Sequence, residues 1–458
     1  MSMIKVEDLT FSYPSIYDLI FDRVSFQIDT DWKLGFVGRN GRGKTTFLNL
    51  LLGKYEYRGK ISSNVRFDYF PYPIIDKERQ TADILQEICP DAKEWEIRRE
   101  LSYLDVEMEV LWRTFETLSN GEQTKILLAA LFLSEGNFLL IDEPTNHLDT
   151  AAREKVSEYL NKKKGFILVS HDRRFLDGCV DHILSINRAD IEVQSGNFSS
   201  WMENFERRQE SELLQNERLK KDISRLQKSA ERSAGWSDHV EASKIGAADK
   251  GEQQKNEETV NALKMNPEAY HLDILASFSE TAVMYEDRAI NRPVSFQVRT
   301  GDRVFIEGKN GSGKSSLLKL LAGESLEHTG TVTVGSGLQI SYVPQDTSYL
   351  TGTLAQFAEK NNLDESLFKT VLRKMDFERV QFEKDMKEFS GGQKKKVLIA
   401  KSLCERAHLY VWDEPLNFID VYSRMQIEQL IEKFSPTMLL VEHDMAFRDA
   451  VATKVIEI

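Results

Sequence analysis

Short apolar runs alternate with amphipathic stretches near both ends of this chain, and a long charged segment lies between them. Ile4-Lys5-Val6-Glu7-Asp8-Leu9 and Val24-Ser25-Phe26-Gln27-Ile28 alternate with a period of two, which predicts half-buried strands. Lys33-Leu34-Gly35-Phe36-Val37-Gly38 reads as a short buried strand feeding a glycine-rich loop, and Thr45 to Leu52 continues as an apolar helix. Phe138 to Ile141 and Phe166 to Val169 are wholly apolar runs, suited to central parallel strands covered on both faces. Arg303-Val304-Phe305-Ile306-Glu307-Gly308 repeats the strand-to-loop entry in the second half, so an α/β fold in two copies is expected.

The middle has a different composition. From Trp201 to about Arg232 the chain is rich in Glu, Gln, Lys, Arg and Leu without Pro or Gly, and Leu219, Ile223 and Leu226 mark one apolar stripe. A helix of about 30 residues would reach roughly 45 Å. Its end is expected at Ser233-Ala234-Gly235-Trp236. A shorter return helix, from about Glu252 to Met265, is stopped by Pro267. The expected division is residues 1–200 for a first domain, 201–270 for a helical linker and 271–458 for a second domain.

Composition narrows the partners. The net charge of −13 argues against non-specific nucleic-acid binding by overall charge, so any RNA contact needs a local basic surface. The three cysteines, Cys89, Cys179 and Cys404, lack metal-ligand spacing and read as small buried thiols in a reducing compartment. No apolar stretch approaches the roughly 18–20 residues that span a bilayer. A cytoplasmic chain without a membrane segment is expected.

Four motifs carry the chemistry, and each occurs twice, about 270 residues apart. Gly38-Arg39-Asn40-Gly41-Arg42-Gly43-Lys44-Thr45 returns as Gly308-Lys309-Asn310-Gly311-Ser312-Gly313-Lys314-Ser315. Each loop sits between a strand and a helix, the context a P-loop needs. Backbone N–H groups there surround a β-phosphate, Lys44 and Lys314 neutralise β/γ oxygens, and Thr45 and Ser315 put a hydroxyl on Mg²⁺, with Thr46 and Ser316 beside them at the nucleotide. Apolar runs end in Asp142-Glu143 and Asp413-Glu414. The aspartates complete a Mg²⁺ shell, and the glutamates polarise the attacking water. His171 and His443, after the next apolar strand, can reach a γ-phosphate. Ser119-Asn120-Gly121-Glu122 and Ser390-Gly391-Gly392-Gln393 both precede a helix.

These last two runs resemble the signature motifs of ABC ATPases. In that family two nucleotide-binding domains pack head to tail, with each ATP between one domain's P-loop and the other's signature. The resemblance implies one site from Gly38–Thr45, Asp142, Glu143 and His171 with Ser390, Gly391, Gly392 and Gln393. The other combines Gly308–Ser315, Asp413, Glu414 and His443 with Ser119, Gly121 and Glu122. Tyr13 and Tyr285 stand where the family stacks an aromatic on adenine, and Gln345 stands where it places a glutamine near Mg²⁺ and the attacking water. Two such domains in one chain with a charged helical connector further resemble the ABC-F translation factors. Glu143-Pro144-Thr145-Asn146-His147-Leu148-Asp149 is similar to their usual run, and Val441-Glu442-His443-Asp444 resembles their antibiotic-resistance branch, with Arg39–Lys44 and Trp32-Lys33-Leu34-Gly35 pointing to its Lsa-type members. That implies a monomer with intramolecular domain pairing that binds ATP, Mg²⁺ and the 70S ribosome, with rRNA and tRNA contacts near the E site and peptidyl-transferase centre. It implies neither DNA nor membrane as partner. Protection from lincosamides, pleuromutilins and streptogramin A compounds is the implied function. A housekeeping translation factor and the ATPase subunit of a membrane transporter are the alternatives.

Three departures qualify the match. Tyr72 occupies the place of Gln345 in the first copy, so that site is expected to hydrolyse more slowly or to signal closure differently. Asn120 replaces the first signature glycine, which adds a side chain where backbone approaches phosphate. The connector is short where the family extends its tip. Its charges suit a solvated spacer as well as they suit RNA contact, and Trp236 is either a packed tryptophan or a tip residue against rRNA.

Overall fold

The structure, a computed structural model, describes residues 2–13, 19–134, 136–146, 148–187, 190–234, 263–286, 288–377 and 379–458. The apolar runs of the first half form a six-stranded sheet in the order Arg66–Phe70, Asn137–Asp142, Phe166–Val169, Lys33–Gly38, His182–Asn187, Asp190–Ser195. All neighbours pair in parallel except the last two, which form an antiparallel edge. Because the chain visits the central strand first and then places others on either side, the carboxyl ends of three adjacent strands converge at one edge. Gly38, Asp142 and Val169 lie at that edge. The alternating segments form a separate antiparallel sheet, Phe21–Asp29, Met3–Phe11 and Arg58–Ser62. Its inward residues Ile4, Val6, Leu9, Phe21 and Ile28 join Phe36 and Phe47 in one core.

The second half repeats the plan. Its parallel sheet runs Ile340–Val343, Leu409–Asp413, Met438–Val441, Arg303–Glu307, Lys454–Glu457, with an antiparallel sheet built on Ile274–Tyr285. A three-helix group stands beside each parallel sheet and ends in the Asn120–Leu133 helix in one copy and the Gly391–Cys404 helix in the other.

The connector helix begins earlier than its composition indicates, at Phe198, and the described part runs to Ala234. Thirty-seven residues at 1.5 Å each make it about 55 Å long. Its root is not linker-like: Phe198 and Trp201 are buried in the first half's core, and Trp201 stacks on Phe205 at 5.4 Å. Both rings also meet Tyr422 of the second half edge-on. Farther out, Leu219 of the expected stripe is 56 % exposed. Gly235, Trp236 and residues 252–262 of the expected return helix lie outside the described residues. Leu263 and Met265, read as the end of that helix, are instead non-helical and buried in the second half's core, and Asn266–Pro267 pairs in parallel with Arg406–Ala407. Packing of these two apolar side chains, with Pro267 denying the helix a continuation, explains the difference.

Candidate functional site

Each glycine loop turns directly into a helix, Lys44–Leu51 or Lys314–Leu321. Gly43 and Gly313 cap these helices in the left-handed region, at φ 97° and 85°. A Cβ on Gly43 would come within 2.5 Å of Ile20 Cγ2, so both the backbone and the space demand glycine there. Lys44 and Lys314 fold back over their loops, donating to the carbonyls of Gly38 at 2.6 Å and Gly308 at 2.7 Å. Burial lowers the pKa of both ammonium groups against the pull of nearby carboxylates, Asp420, Glu143 and Asp142 for Lys44 and Glu414, Asp149 and Asp413 for Lys314. A loop of N–H donors with a desolvated cation at a helix N-terminus suits a polyphosphate.

The acidic pair follows the same frame. Thr45 Oγ1 donates to Asp142 Oδ2 at 3.0 Å, and Ser315 Oγ to Asp413 Oδ1 at 3.1 Å. Asp413 Oδ2 is buried without a hydrogen-bond partner, and burial lifts that carboxyl to about 6. An orphaned carboxylate oxygen beside a hydroxyl fits a hard cation such as Mg²⁺. No group of three or more His, Cys, Asp or Glu side chains is gathered for a metal among the described residues. Such an ion would therefore share its shell between these side chains and the ligand's own oxygens. In the first copy Tyr69 donates to the same Asp142 oxygen that Thr45 uses, at 3.0 Å.

Glu143 and Glu414 both adopt left-handed backbone, φ 50° and 46°, a strained setting for a non-glycine residue that clusters at functional sites. Their surroundings differ. Glu414 Oε2 accepts from Gln345 Nε2 at 2.8 Å and from Asn417 Nδ2 at 2.6 Å, with His443 Nε2 3.5 Å from its other oxygen. Burial raises its pKa, but the bonds from His443 and Gln345 outweigh burial and leave it below the usual glutamate value. Glu143 has His171 Nε2 at 3.2 Å and no amide in the place of Gln345, because Tyr72 is packed against the helical core instead. Burial, with Asp142 adjoining, pushes Glu143 up to about 8. Burial also lowers His171 far below the ordinary imidazole value, with Lys44 and Arg424 adding to the effect, so it is neutral at pH 7.

The two halves meet head to tail. Ser119 and Ser390 each form a capping box with the third residue of the helix that follows, Glu122 or Gln393, and so present a helix N-terminus. A cavity of about 980 Å³ lies between the second glycine loop, with Ser316, Gln345, Glu414 and His443, and the first half's Ser119–Glu122 run. Its volume is on the scale of a ligand pocket. At the other interface the halves touch directly. Asn40 Nδ2 donates to the Phe418 carbonyl at 2.6 Å, Arg39 pairs with Asp376, and the Arg39 guanidinium stands 5.4 Å from the Tyr422 ring centre. A Cβ on Gly392 would fall 2.9 Å from Asn40 Nδ2, so the signature run faces the first glycine loop there.

Asn310, Gly311 and Gly313 line the cavity, while a Cβ added at Gly41 would meet open space. Asn120 also lines it, beside Gly121. The tyrosines expected on adenine are placed differently from one another. Tyr13 donates or accepts a 2.9 Å hydrogen bond with Thr46 and packs edge-on against Phe11 and Tyr55, whereas Tyr285 stands 67 % exposed. Several contacts escaped the motif reading. Lys395 donates to the carbonyls of Pro344 and Asp413 beneath the second site, and burial brings its pKa down to about 8. Lys396 forms a buried pair with Asp420. Lysines within a helix carry no local signal of such a role.

Among the described residues, no helix is long and apolar enough to cross a membrane. The family model described as ABC transporter matches residues 21–146 and 291–417, together more than half of the chain. The chain is 27 % identical to the energy-dependent translational throttle protein EttA of Haemophilus influenzae, over 93 % of this chain and 86 % of that protein. It is also 27 % identical to the ribosome protection protein VmlR of Bacillus subtilis, over 95 % and 83 %. Among solved structures, an archaeal ribosome recycling factor, aABCE1, superposes with a TM-score of 0.67 at 20 % identity, covering 98 % of this chain and 87 % of that one. At that identity the likeness speaks to the fold alone, two nucleotide-binding domains in tandem. The chain belongs to the ABC transporter family, as a tandem of two ATP-binding ATPase domains.

Proposed function

We propose that this chain is a cytoplasmic ATP-driven switch that binds the bacterial ribosome near the E site and protects it from lincosamide, pleuromutilin and streptogramin A antibiotics. The observation that carries the ribosomal reading is the connector helix, rooted on both halves of the sandwich and running about 55 Å. A transporter ATPase needs a coupling surface, whereas a long charged arm suits a distant target. Similarity to proteins named for translational throttling and ribosome protection supports it. The resistance branch is favoured by Glu442, which accepts hydrogen bonds from Leu416 N at 3.0 Å and His443 N at 2.8 Å where the first copy has Ser170.

In the mechanism, ATP held between a glycine loop and the opposite signature run joins the halves. Lys44 and Lys314 neutralise the phosphates, and Thr45 with Asp142 and Ser315 with Asp413 would hold Mg²⁺, which would offset charge on the phosphoryl oxygens. Glu143 and Glu414 polarise the attacking water, Glu414 as an ionised base and Glu143 once it has lost its own proton, and His171 and His443 orient it against the terminal phosphate. Hydrolysis splits ATP into ADP and phosphate, departure of the phosphate weakens the bridge across the interface, and the connector lets go.

The test is ATP-dependent co-sedimentation of a Glu143→Gln/Glu414→Gln variant with 70S ribosomes, beside susceptibility of a sensitive bacterium to lincomycin, tiamulin and virginiamycin M. The variant should stay on ribosomes longer than the parent, and only the parent should raise drug tolerance. Recovery in the membrane fraction with none on ribosomes would refute the ribosomal role. Ribosome binding without any change in susceptibility would favour a housekeeping translation factor, the reading that likeness to EttA supports.

A further inference from the structure

Arg153 and Arg424 occupy matching places, one turn into the helices that follow Asp149 and Asp420. Arg153 donates from Nε to the Leu148 carbonyl at 3.0 Å and from Nη1 to Asp172 Oδ2 at 3.0 Å. Arg424 donates to the Ile419 carbonyl at 2.9 Å, the Leu416 carbonyl at 2.9 Å and Asp444 Oδ2 at 2.7 Å. Asp172 and Asp444 directly follow the site histidines, and each gives its other oxygen to a helix cap, accepting from Phe175 N or Phe447 N at 3.0 Å. The arginine side chains are 11 % and 7 % exposed. A planar guanidinium forked between one loop's carbonyl and another loop's carboxylate fixes the distance between the two loops.

The loops so joined serve different sites. Leu148 and Asp149 line the cavity at the second glycine loop, while His171 stands beside Glu143 of the first site. In the other half, Phe418 and Asp420 face Asn40 of the first glycine loop, while His443 stands beside Glu414. Arg153 goes further, with Nη1 also 3.4 Å from the His443 carbonyl, so that one side chain touches both histidine loops.

We propose that Arg153 and Arg424 are positioning residues that couple the two ATP sites, each tying its own half's histidine loop to the loop that half presents to the opposite site. A displacement of His171 moves Asp172, and through Arg153 moves Leu148 at the second site. The mirror path runs from His443 through Asp444 and Arg424 to Ile419 at the first. The second half has a charged tie in Glu442, which accepts from Leu416 N and His443 N, whereas the first half has only a hydroxyl tie, Ser170 bonding Thr145 Oγ1 at 3.4 Å and accepting from Asp172 N at 3.2 Å. Substitution of Arg153 therefore has the larger effect.

The proposal rests on Glu143 and Glu414 being the hydrolytic residues, so the experiment isolates one site at a time in the full chain. In a Glu143→Gln background only the second site turns over. There Arg153→Lys, which keeps the charge for Asp172 but cannot span both loops, should lower kcat about fivefold or more and leave KM for ATP within about twofold. Arg153→Met should lower it further. In a Glu414→Gln background, Arg424→Lys should lower kcat at the first site in the same way. A purely structural role would lower the melting temperature without singling out kcat at the opposite site. If Arg153→Lys turned over at the rate of its Glu143→Gln parent, the coupling would be overturned, and this holds even if the Met variants fail to fold. Residual turnover in Glu143→Gln/Glu414→Gln would instead overturn the assignment of the glutamates.

Discussion

Replacing Glu143 by glutamine should stabilise the nucleotide-free protein, and by more as the pH rises. Below its unfolded value of 4.5 the carboxyl is protonated in both states and costs nothing. Between 4.5 and about 8 the unfolded chain ionises while the fold, by burying the group next to Asp142, holds it protonated, so stability falls with pH. At pH 7 that difference is about 3 kcal/mol, and glutamine removes it. For a domain of this size the melting temperature should rise on the order of 5–10 °C at pH 7 and hardly at all near pH 5. Glu414 gives the opposite sign. Its folded value lies below the unfolded one, so its contribution is present above that value and lost in acid, and Glu414→Gln should destabilise at neutral pH. Thermal denaturation of the parent and both single variants from pH 5 to 9 tests the pair. A pH-independent effect of Glu143→Gln, or the same sign for both variants, would refute the reasoning.

Two further outcomes are expected. Tyr72→Gln in a Glu414→Gln background should raise ATP turnover at the first site, since an amide there could bond Glu143 as Gln345 bonds Glu414; an unchanged rate would leave Tyr72 without influence. Trp201→Ala should cost about 3–5 kcal/mol of stability as a buried aromatic, with a lower melting temperature and earlier proteolysis within the connector helix.

Much of the fold was legible because its signals are local. The strand before Gly38, the helix after Lys44 and the apolar run before Asp142 each declare themselves within a dozen residues. The fold brings these motif residues together, Thr45 on Asp142 and Ser315 on Asp413. What stayed hidden depends on distant partners. Nothing near Arg153 announces Asp172 or the His443 carbonyl, and nothing near Arg39 announces Asp376. Glu442 read as a family marker, but its two backbone bonds appear only once the strand ends are side by side. The connector's start at Phe198 is hidden from composition for a related reason. Composition describes its solvated length, whereas Phe198 and Trp201 belong by packing to the domain before it.

That packing makes the helix root a fulcrum. Trp201 and Phe205 rest on Tyr422, which begins the helix behind the loop facing Asn40, so the arm bears on both sides of the first interface. Were the halves to part as the proposed switch requires, the root would tilt with one of them. On an arm of about 55 Å, a tilt of about 10° carries the Ala234 end through about 10 Å. A small tilt at the root is thereby amplified at the far end to about the width of a helix.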